Sequence, residues 1–369
     1  MKKLAIIGAS YLQLPLVLKA KEMGVETHCF AWAEGAVCRD YADYFHPVSV
    51  LEKEEILQKC LEIQIDGITT IATDMAVPTI CYVAEKMNLV SNSYASSLKS
   101  TNKAEMRAAF RNAGCRIPGF RSFSRDVPDV SDLRFPLIVK PADRSGSRGV
   151  TKITFPDELP QAAARALKES FSGFAIAEEF IDGVEVSVET ISYEGRHFVL
   201  SITDKTTTGP PYFVELAHHQ PSQLPPNIQE KIRAETQNCL NALDITSGAG
   251  HSEFKITEEG EVFVIEVGAR MGGDFIGSHL VELSTGYDFL KGVIQLALGR
   301  FEEPLVKDSA FSGVYFLCSD SIALLPYMQQ KNDFDFIKEI QNIELKKITS
   351  SNDRSGYLIY KSDNRVNLL

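Results

Sequence analysis

Short apolar runs alternate with helical segments over residues 3–95. Residues 4–7, 27–30 and 67–71 have the apolar and β-branched character of buried strands, and a helical segment that extends to Met23 separates the first two. Strands that alternate with helices in this way predict a parallel, doubly wound sheet at the N-terminus.

The turn after the first strand limits what this sheet can bind. Gly8 ends the strand, but Ser10 and Gln13 stand where the fingerprint G-x-G-x-x-G requires its later glycines. Those glycines let the backbone approach a pyrophosphate, so we expect no dinucleotide-dependent oxidoreductase.

A well-delimited helix begins at Asn102. Glu105 lies three residues later, as in a capping box, and apolar residues follow at the spacing of one helical face, namely Met106, Ala109, Phe110 and Ala113 before Gly114. Lys103 falls in the first turn, where a cation is unfavourable next to the positive end of the helix dipole. We therefore expect an anionic partner for Lys103.

The pattern changes to strands and loops over residues 136–205, with one helix near residues 157–172. Further helices are predicted near residues 229–243 and 287–298, and the second ends at Gly299. A hairpin around Glu259 and Gly260 and a glycine-rich turn at Gly272 and Gly273 lie between them. Residues 300–369 have a mixed pattern.

Composition and charge narrow the class of protein. The chain has 369 residues, and 44% of them are hydrophobic. This length exceeds what one hydrophobic core usually serves, so the sequence predicts two or three domains. No apolar stretch approaches the roughly 20 residues of a membrane helix, and the N-terminus reads as a strand rather than a signal peptide. A net charge of −11 argues against nucleic acid. We expect a soluble, cytoplasmic protein with no membrane partner.

The seven cysteines are scattered without C-x-x-C spacing, mostly among apolar residues. Their odd number and surroundings are typical of buried, reduced thiols in the cytoplasm. No cysteine has a neighbour in sequence that would activate it as a nucleophile.

A lysine and a glycine-rich loop are the first candidates for chemistry. Lys140 ends an apolar strand, and a lysine is seldom fully buried without an anionic partner. Three residues later, the small residues around Gly146 and Gly149 let backbone N–H groups converge on an anion. The loop is not a Walker A motif, and an ordinary turn is the alternative interpretation.

The hairpin predicts a pair of opposed acids. With Glu259 and Gly260 as a two-residue loop, counting outward pairs Ile256 with Phe263 and Glu253 with Glu266. Two carboxylates about 4 Å apart repel by roughly 4 kcal/mol at an effective dielectric constant near 20. Mg²⁺ reverses this repulsion, since it binds one or two carboxylates and completes its octahedron with water and phosphate. The alternative is a bulged three-residue loop that shifts the register and leaves one acid solvated.

An arginine follows the second acid within a glycine-flanked loop. The guanidinium of Arg270 can bind a phosphate or a developing oxyanion through two parallel hydrogen bonds. The alternative is a structural salt bridge to Asp274.

Taken in order, these segments resemble the ATP-grasp superfamily of carboxylate-amine ligases over nearly the whole chain. The likeness is to its L-amino-acid-ligase-like and carbamoyl-phosphate-synthase-large-subunit-like branches. It rests on residues 101–107, on the strand of residues 136–141, on the loop of residues 145–150 and on residues 177–185, followed by the two acids and Arg270.

The resemblance implies a five-part architecture of α/β and α+β type. Residues 1–98 correspond to a doubly wound preATP-grasp domain, 99–130 to a helical linker and 131–185 to a small lid. Residues 186–300 correspond to the catalytic subdomain with an antiparallel sheet, and 301–369 to a mixed C-terminal subdomain.

The resemblance also implies roles for particular residues. Lys103 and Lys140 bind phosphate, Glu178 binds the adenine amino group, and Glu185 holds the ribose hydroxyls. Glu253 and Glu266 bind Mg²⁺, or Mn²⁺ in its place, and Arg270 is catalytic together with Lys140. The remaining nucleotide-binding positions are Ser145, Gly146, Ser147, Gly149, Val150, Glu179, Phe180 and Ile181. One departure stands out, because the family usually has Asn two residues after the second acid and this chain has Gly268.

Substrate contacts are expected near the same site. The candidates are Ser10, Thr73, Asp74, Lys205, His218, His219, His251, Gly272 and Gly273. Adjacent side chains on a strand point to opposite faces, so at most one of the two neighbouring histidines faces the site. Strand termination is the alternative for the first three, and a structural hydrogen bond is the alternative for the histidines.

The expected activity is that of an ADP-forming ligase. A carboxylate is activated by ATP as an acyl phosphate and captured by an amine, with amino-acid-like substrates and a homodimeric enzyme. Two other functions remain open at this stage. One is activation of bicarbonate or formate, as in relatives from purine biosynthesis, and the other is a protein that binds ATP without turnover.

Overall fold

The computed structural model describes residues 1–144, 148–210, 212–307, 310–342 and 344–369. The chain forms three β-sheets, of four, eight and four strands. Helices cover these sheets and connect them. Short 3₁₀ helices occur at Val37–Asp40, Pro156–Glu158, Ser319–Leu324 and Ser351–Asp353.

The N-terminal sheet is parallel and has the order β3-β2-β1-β4, as its alternating pattern predicted. Its strands are β1 (Lys3–Ile7), β2 (Glu26–Phe30), β3 (Tyr44–His46) and β4 (Gly67–Thr69), and its helices are α1 (Leu14–Glu22), α2 (Lys53–Ile63) and α3 (Val77–Met87). Leu4 and Ile6 belong to one core and Ala5 and Ile7 to another. Both faces of the sheet are covered, which explains the continuous apolar run in β1.

Two short helices lead from this sheet to the rest of the chain. They are α4 (Tyr94–Thr101) and α5 (Lys103–Asn112). The predicted cap is confirmed, because the Asn102 side chain accepts hydrogen bonds from the backbone N–H groups of Ala104 (2.9 Å) and Glu105 (3.3 Å). Met106 and Phe110 are buried, as the helical spacing predicted.

The small sheet is antiparallel, in the order β5-β8-β6-β7. It consists of β5 (Phe120–Phe123), β6 (Leu137–Pro141), β7 (Thr151–Ile153) and β8 (Ala175–Glu179), with α6 (Leu159–Glu169) packed on it. β5 lies within residues 99–130, for which only helix was expected. That expectation is wrong in this part, because residues 120–123 pair with β8.

The large sheet has eight antiparallel strands in the order β13-β12-β9-β10-β11-β14-β16-β15. They are β9 (Val184–Tyr193), β10 (Arg196–Thr207), β11 (Glu215–Gln220), β12 (Gly248–Ile256), β13 (Val262–Gly268), β14 (Phe311–Leu317), β15 (Asp335–Ile340) and β16 (Gly356–Ser362). The associated helices are α7 (Pro226–Ala242), α8 (Val281–Thr285), α9 (Phe289–Ala297) and α10 (Leu325–Gln329), with a π-helical turn at Ile276–Leu280. The last three strands come from residues 301–369, so this segment continues the large sheet.

The hairpin of β12 and β13 corrects one prediction while keeping its consequence. The two-residue loop is wrong: Thr257 N donates to Glu261 O and Gly260 N to Thr257 O, so three residues form the loop. This shifts the outer register, and Ile256 pairs with Val262. A bulge between Glu253 and Phe254 then shifts the register back by one residue, so that Glu253 lies opposite Glu266 as predicted.

Candidate functional site

A central cleft lies between the small sheet and the large sheet, and most of the predicted nucleotide and metal positions face it. The predicted residues that line this central cleft are Asp74, Lys103, Lys140, Val150, Glu178, Glu179, Phe180, Ile181, Glu185, Lys205, His251, Glu253, Glu266 and Arg270. They come from both sheets, from α5 and from the loop after β4. The fold therefore gathers into one space residues that are far apart in sequence.

The wall formed by the small sheet carries a buried ion cluster, which we call the back cluster (Arg107, Lys140 and Glu178). Arg107 donates from Nε (3.1 Å) and Nη2 (2.9 Å) to Glu178 Oε2, and Lys140 Nζ pairs with Glu178 Oε1. All three side chains are at most 8% exposed. Both oxygens of Glu178 are therefore engaged by cations.

Burial and charge act on the back cluster in opposite directions. Burial, together with the charges of Arg107 and Lys103, holds the pKa of Lys140 below its usual value against the attraction of Glu178. Burial opposes ionisation of Glu178, but Arg107 and Lys140 hold the pKa of this carboxyl below its usual value. The cluster thus consists of an ionised acid between two cations.

Sequence analysis assigned no role to Arg107. Its signal was its place four residues after Lys103 on α5, which puts both side chains on one face of the helix. Arg107 Nη2 also donates to the carbonyl of Ile265 at 2.7 Å. Ile265 is the bulge residue without a ladder partner, so the irregularity that aligns the two acids also presents an acceptor to Arg107.

The large-sheet wall carries a second ion cluster, which we call the front cluster (Lys103, Lys205, Glu253 and Glu266). Lys103 Nζ lies 2.9 Å from Glu266 Oε1 and also donates to the carbonyl of Arg144. Lys205 Nζ lies 2.8 Å from Glu253 Oε1. The anionic partner expected for Lys103 is therefore Glu266.

Lys205 sits among three carboxylates. Its ammonium lies 2.6 Å from Glu185, 2.8 Å from Glu253 and 3.7 Å from Glu215. Burial alone would lower its pKa, but these acids raise the pKa of Lys205 well above the usual value. Conversely, burial opposes ionisation of Glu253, while Lys205 and His251 keep the pKa of this acid well below its usual value.

The donor set of the front cluster fits Mg²⁺. Glu253 and Glu266 face each other, are each 26% exposed, and leave their Oε2 atoms without a hydrogen-bond partner among the described residues. Mg²⁺ takes one or two carboxylates and fills its other positions with water and phosphate oxygens. The only convergence of three or more metal-ligating side chains in the described ranges lies elsewhere, at Cys115, Glu235 and Cys239.

Arg270 forms a salt bridge, but not with Asp274. Its Nε and Nη2 lie 2.8 and 2.9 Å from the two oxygens of Asp74, at the end of the N-terminal sheet. Asp274 pairs instead with Arg354 at 2.9 Å and His218 at 3.5 Å. The alternative prediction of a salt bridge between Arg270 and Asp274 is therefore wrong, because Asp74 in the loop after β4 pairs with Arg270 instead.

Asp74 also accounts for the glycine at position 268. A Cβ atom on Gly268 would come within 2.6 Å of Asp74 Oδ1 and 3.2 Å of Arg270 Cζ. No side chain fits there while Asp74 and Arg270 remain paired. The absence of the asparagine usual in the resembled family thus coincides with a carboxylate supplied by another part of the chain.

His251 lies two residues before Glu253 on β12, so both side chains are on the same face of the strand. Its Nδ1 lies 2.5 Å from Glu189 and its Nε2 3.4 Å from Glu253. Burial would lower its pKa, but Glu189 raises the pKa of His251 to about 9. Gly272 N donates to Glu189 at 2.9 Å, and a Cβ atom on Gly272 would collide with that carboxylate. Sequence analysis gave no role to Glu189, which no local motif marks.

The residues predicted to bind adenine already have partners within the chain. Phe180 N donates to Pro136 O at 2.9 Å, and the Glu179 carboxylate binds Arg134. Lys152 Nζ lies 3.5 Å from the centroid of the Phe180 ring. Glu185, the predicted ribose ligand, pairs with Lys205. The assignments to adenine and ribose stay predictions.

Several candidates lie away from the central cleft. The Ser10 hydroxyl donates to Gln13, which supports its alternative reading as strand termination. His219 forms a hydrogen bond with the Tyr360 hydroxyl. Neither His219 nor its neighbour His218 lines the central cleft. The same holds for Thr73, Gly149, Gly272 and Gly273. Ser145, Gly146 and Ser147, for which nucleotide binding is predicted, lie outside the residues that the structure describes.

Comparison with known proteins places these observations in a family context. Residues 133–278 match the model of the ATP-grasp domain. The alanine–anticapsin ligase of Bacillus subtilis is 26% identical over 276 residues, covering 64% of this chain and 57% of that protein. The chain thus spans about half the length of the curated relatives it matches.

Solved structures share the fold over nearly the whole chain. The L-amino acid ligase from Bacillus licheniformis superposes with a TM-score of 0.80 at 24% identity, covering 99% of this chain and 94% of that one. The N5-carboxyaminoimidazole synthetase of Staphylococcus aureus in complex with ADP also gives 0.80, at 17% identity and 98% and 94% coverage. No helix among the described residues is long and apolar enough to cross a membrane.

Proposed function

We propose, on the premise that this chain carries an ATP-grasp domain, that it is an ADP-forming ligase that joins a carboxylate to an amine, with amino-acid-like substrates. The observation that carries the proposal is the pair Glu253 and Glu266. They lie opposite each other on adjacent strands, each is balanced by one lysine, and each has one oxygen without a hydrogen-bond partner in the part of the chain that the structure describes. Lys140 and Arg270 face the same cleft.

The proposed reaction has two transfers. A carboxylate oxygen attacks the γ-phosphorus of ATP, the bond from that phosphorus to the bridging oxygen breaks, and ADP leaves with the electron pair. The amine nitrogen then attacks the acyl carbon and gives up one proton, and phosphate leaves with the electrons of the carbon–oxygen bond. The products are an amide, ADP and phosphate.

The residues of the cleft would act by binding and charge neutralisation. Lys103 and Lys140 offer cations for phosphate oxygens, and Arg270 offers a planar fork for the oxyanion that forms at the acyl carbon. Glu253 and Glu266 would hold Mg²⁺, or Mn²⁺ in its place. The bound metal supplies charge neutralisation of the phosphoryl group.

Substrate entry would rearrange the ion pairs. Arg270 is engaged by Asp74, and Lys103 by Glu266. A phosphate would bind Lys103 in place of Glu266, and a metal ion would bind Glu266 in place of Lys103. The present pairs keep these charges compensated before the substrates bind.

A substrate survey tests the proposal. The purified chain is incubated with Mg·ATP and pairs of amino acids, and ADP, phosphate and new amides are measured by coupled assay and mass spectrometry. We expect ADP and phosphate in equal amounts and only with certain pairs. Formation of AMP and pyrophosphate, or ADP release that needs bicarbonate and no amino acid, would contradict the proposal. The Glu266→Ala variant supplies the background rate.

The proposal extends to the setting of the enzyme. We place it in the cytoplasm as a homodimer that acts on small molecules and not on nucleic acid. The seven cysteines support a reducing compartment, because all are buried and unpaired. Light scattering of the purified chain measures the oligomeric state, and a monomeric mass would contradict the dimer.

A further inference from the structure

A second cavity, which we call the side cavity, opens from the central cleft. Its volume is about 720 Å³, within the range of roughly 300–1,000 Å³ typical of small-molecule sites. Four residues line both spaces: Asp74, Lys103, Arg144 and Glu266. The two spaces therefore meet where Lys103 and Glu266 form their ion pair.

The walls of the side cavity away from this junction are largely apolar. They include Leu51, Met75, Leu98 and Phe171. These side chains are 54%, 36%, 44% and 64% exposed, respectively. Apolar side chains scattered singly over a surface need no explanation, but a cluster of them around one concave space marks a binding site.

Three parts of the fold build these walls. Leu51 and Met75 come from the loops of the N-terminal sheet, Leu98 from α4, and Phe171 from the segment after α6. An apolar group seated in the side cavity would contact all three parts. Such a group would remove from water the four side chains that the chain itself leaves exposed.

The junction supplies charge of the sign that a carboxylate needs. The Lys103 ammonium lies there, and the Arg144 guanidinium lies over the Phe171 ring, 4.1 Å from its centroid. Lys99, the third cation of the lining, is held by Asp244 at 2.5 Å. The junction also holds two acids, Glu266, which pairs with Lys103, and Asp74, which pairs with Arg270, so a substrate carboxylate would bind Lys103 in exchange for Glu266.

We propose that the side cavity binds the apolar side chain of the carboxylate substrate, whose carboxylate lies at the junction beside Lys103. This inference rests on the proposed ligase function and gives it a substrate class: amino acids with bulky apolar side chains. A carboxylate at the junction lies next to the acids that would hold Mg²⁺. The rest of the molecule then extends between Leu98, Met75 and Phe171.

The test isolates the carboxylate substrate by using hydroxylamine as the common amine. Glycine, alanine, valine, leucine, aspartate and lysine are compared by hydroxamate and ADP formation. Each buried methylene should raise kcat/KM about fourfold, so leucine should exceed glycine by roughly 100-fold or more. Aspartate and lysine should react more slowly than leucine.

Matched variants locate the effect in the side cavity. Leu98→Arg places a charge in its wall and should lower kcat/KM for leucine about 10- to 100-fold while leaving the KM for ATP unchanged. Leu61→Arg is the control, because Leu61 is an exposed leucine of similar accessibility on α2 and lies outside the lining. Ala95→Phe fills the cavity from α4 and should shift the preference from leucine to alanine. Thermal melting verifies that each variant is folded.

The outcomes separate this inference from the function on which it rests. If no acid yields hydroxamate or ADP, the proposed ligase function fails and the side-cavity proposal fails with it. If acids react but glycine equals leucine, or if Leu98→Arg and Ala95→Phe behave as Leu61→Arg does, the side-cavity proposal alone is overturned.

Discussion

The two ion clusters of the central cleft are built from the same residue types but differ in saturation. In the back cluster, both oxygens of Glu178 are bound by Arg107 and Lys140, and the carboxylate is only 4% exposed. In the front cluster, Glu253 and Glu266 are each bound to a lysine through one oxygen and are 26% exposed. The Glu178 carboxylate thus has no oxygen left for a ligand, whereas Glu253 and Glu266 each have one among the described residues.

This difference separates a carboxylate that compensates buried cations, Glu178, from two carboxylates that can still bind a ligand, Glu253 and Glu266. Removal of one partner from a fully buried pair leaves an uncompensated charge, so the back cluster should matter for folding. The front cluster retains free oxygens and partial access to solvent, so it should matter for metal binding and turnover.

Replacement of either front acid should have the largest effect, on turnover. Glu253→Ala and Glu266→Ala each remove a carboxylate proposed to hold Mg²⁺, and we expect kcat to fall by about a thousandfold or more. Melting temperatures should fall less than in Glu178→Ala, because Lys205 keeps Glu185 and Lys103 keeps the carbonyl of Arg144 as partners. Steady-state ADP release and thermal melting measure the two effects.

The control lies on the same hairpin. Glu261 is solvent-accessible and pairs with Arg116 beyond the register shift. Glu261→Ala should retain turnover. A Glu266→Ala enzyme with near-normal kcat would end the division between the two clusters.

Replacement of the back acid should affect folding most. Glu178→Ala leaves Arg107 and Lys140 buried without their counterion, so we expect a loss of roughly 3–5 kcal/mol in unfolding free energy. Urea denaturation measures it.

The neighbouring acid provides the comparison. Glu179 pairs with Arg134, which is 81% exposed. Glu179 itself is only 11% exposed, but solvent reaches its partner and screens the pair, so Glu179→Ala should cost less than Glu178→Ala. Equal losses would show that the back cluster has no special structural weight.

As the pH falls below 7, the stability of the protein should first decrease because of His219, a residue that belongs to neither cluster. Burial lowers the pKa of His219 to about 3, so this histidine is neutral in the folded chain and protonates near pH 6.5 when unfolded. Because the unfolded state then binds more protons, stability should fall as the pH drops from 6.5 toward 3. The loss by pH 5 is about 2 kcal/mol.

The variant His219→Gln should flatten this dependence, because glutamine does not titrate. Denaturation at a series of pH values between 4.5 and 7 measures the slope. Glu178 and Glu253 have pKa values below their usual range and should stay ionised over that window. An unchanged slope in His219→Gln would contradict this assignment and point to His279, because burial also lowers the pKa of that histidine, to about 4.

The smallest effect is expected at the edge of the front cluster. Gly268→Ala should push Asp74 away from Arg270, because its Cβ atom would lie within 2.6 Å of Asp74. Overpacking costs about 1–3 kcal/mol, and lower entropy of the unfolded chain offsets about 0.4–1 of this, so the net loss is about 1 kcal/mol. Thermal melting measures it. Gly273→Ala is the matched stability control, since its Cβ atom would meet Ala72 only at 3.4 Å.

Local pattern was sufficient for several parts of the molecule. The cap at Asn102, the parallel N-terminal sheet and the helices of the catalytic region follow from spacing over a few residues. The opposed acids were predicted from a register that proved wrong at the loop. A bulge compensated for the extra loop residue, so the pairing of Glu253 with Glu266 was right for an incomplete reason.

What the sequence by itself determined is therefore most elements of residues 1–300, although not β5, and the identity of the charged residues, because capping, periodicity and strand alternation depend on near neighbours. The tertiary structure alone decided the partners: Glu178 for Arg107, Asp74 for Arg270 and Glu189 for His251. These pairs are separated by 62 to 196 positions. No local pattern encodes them, since burial and charge compensation arise only when the sheets pack together.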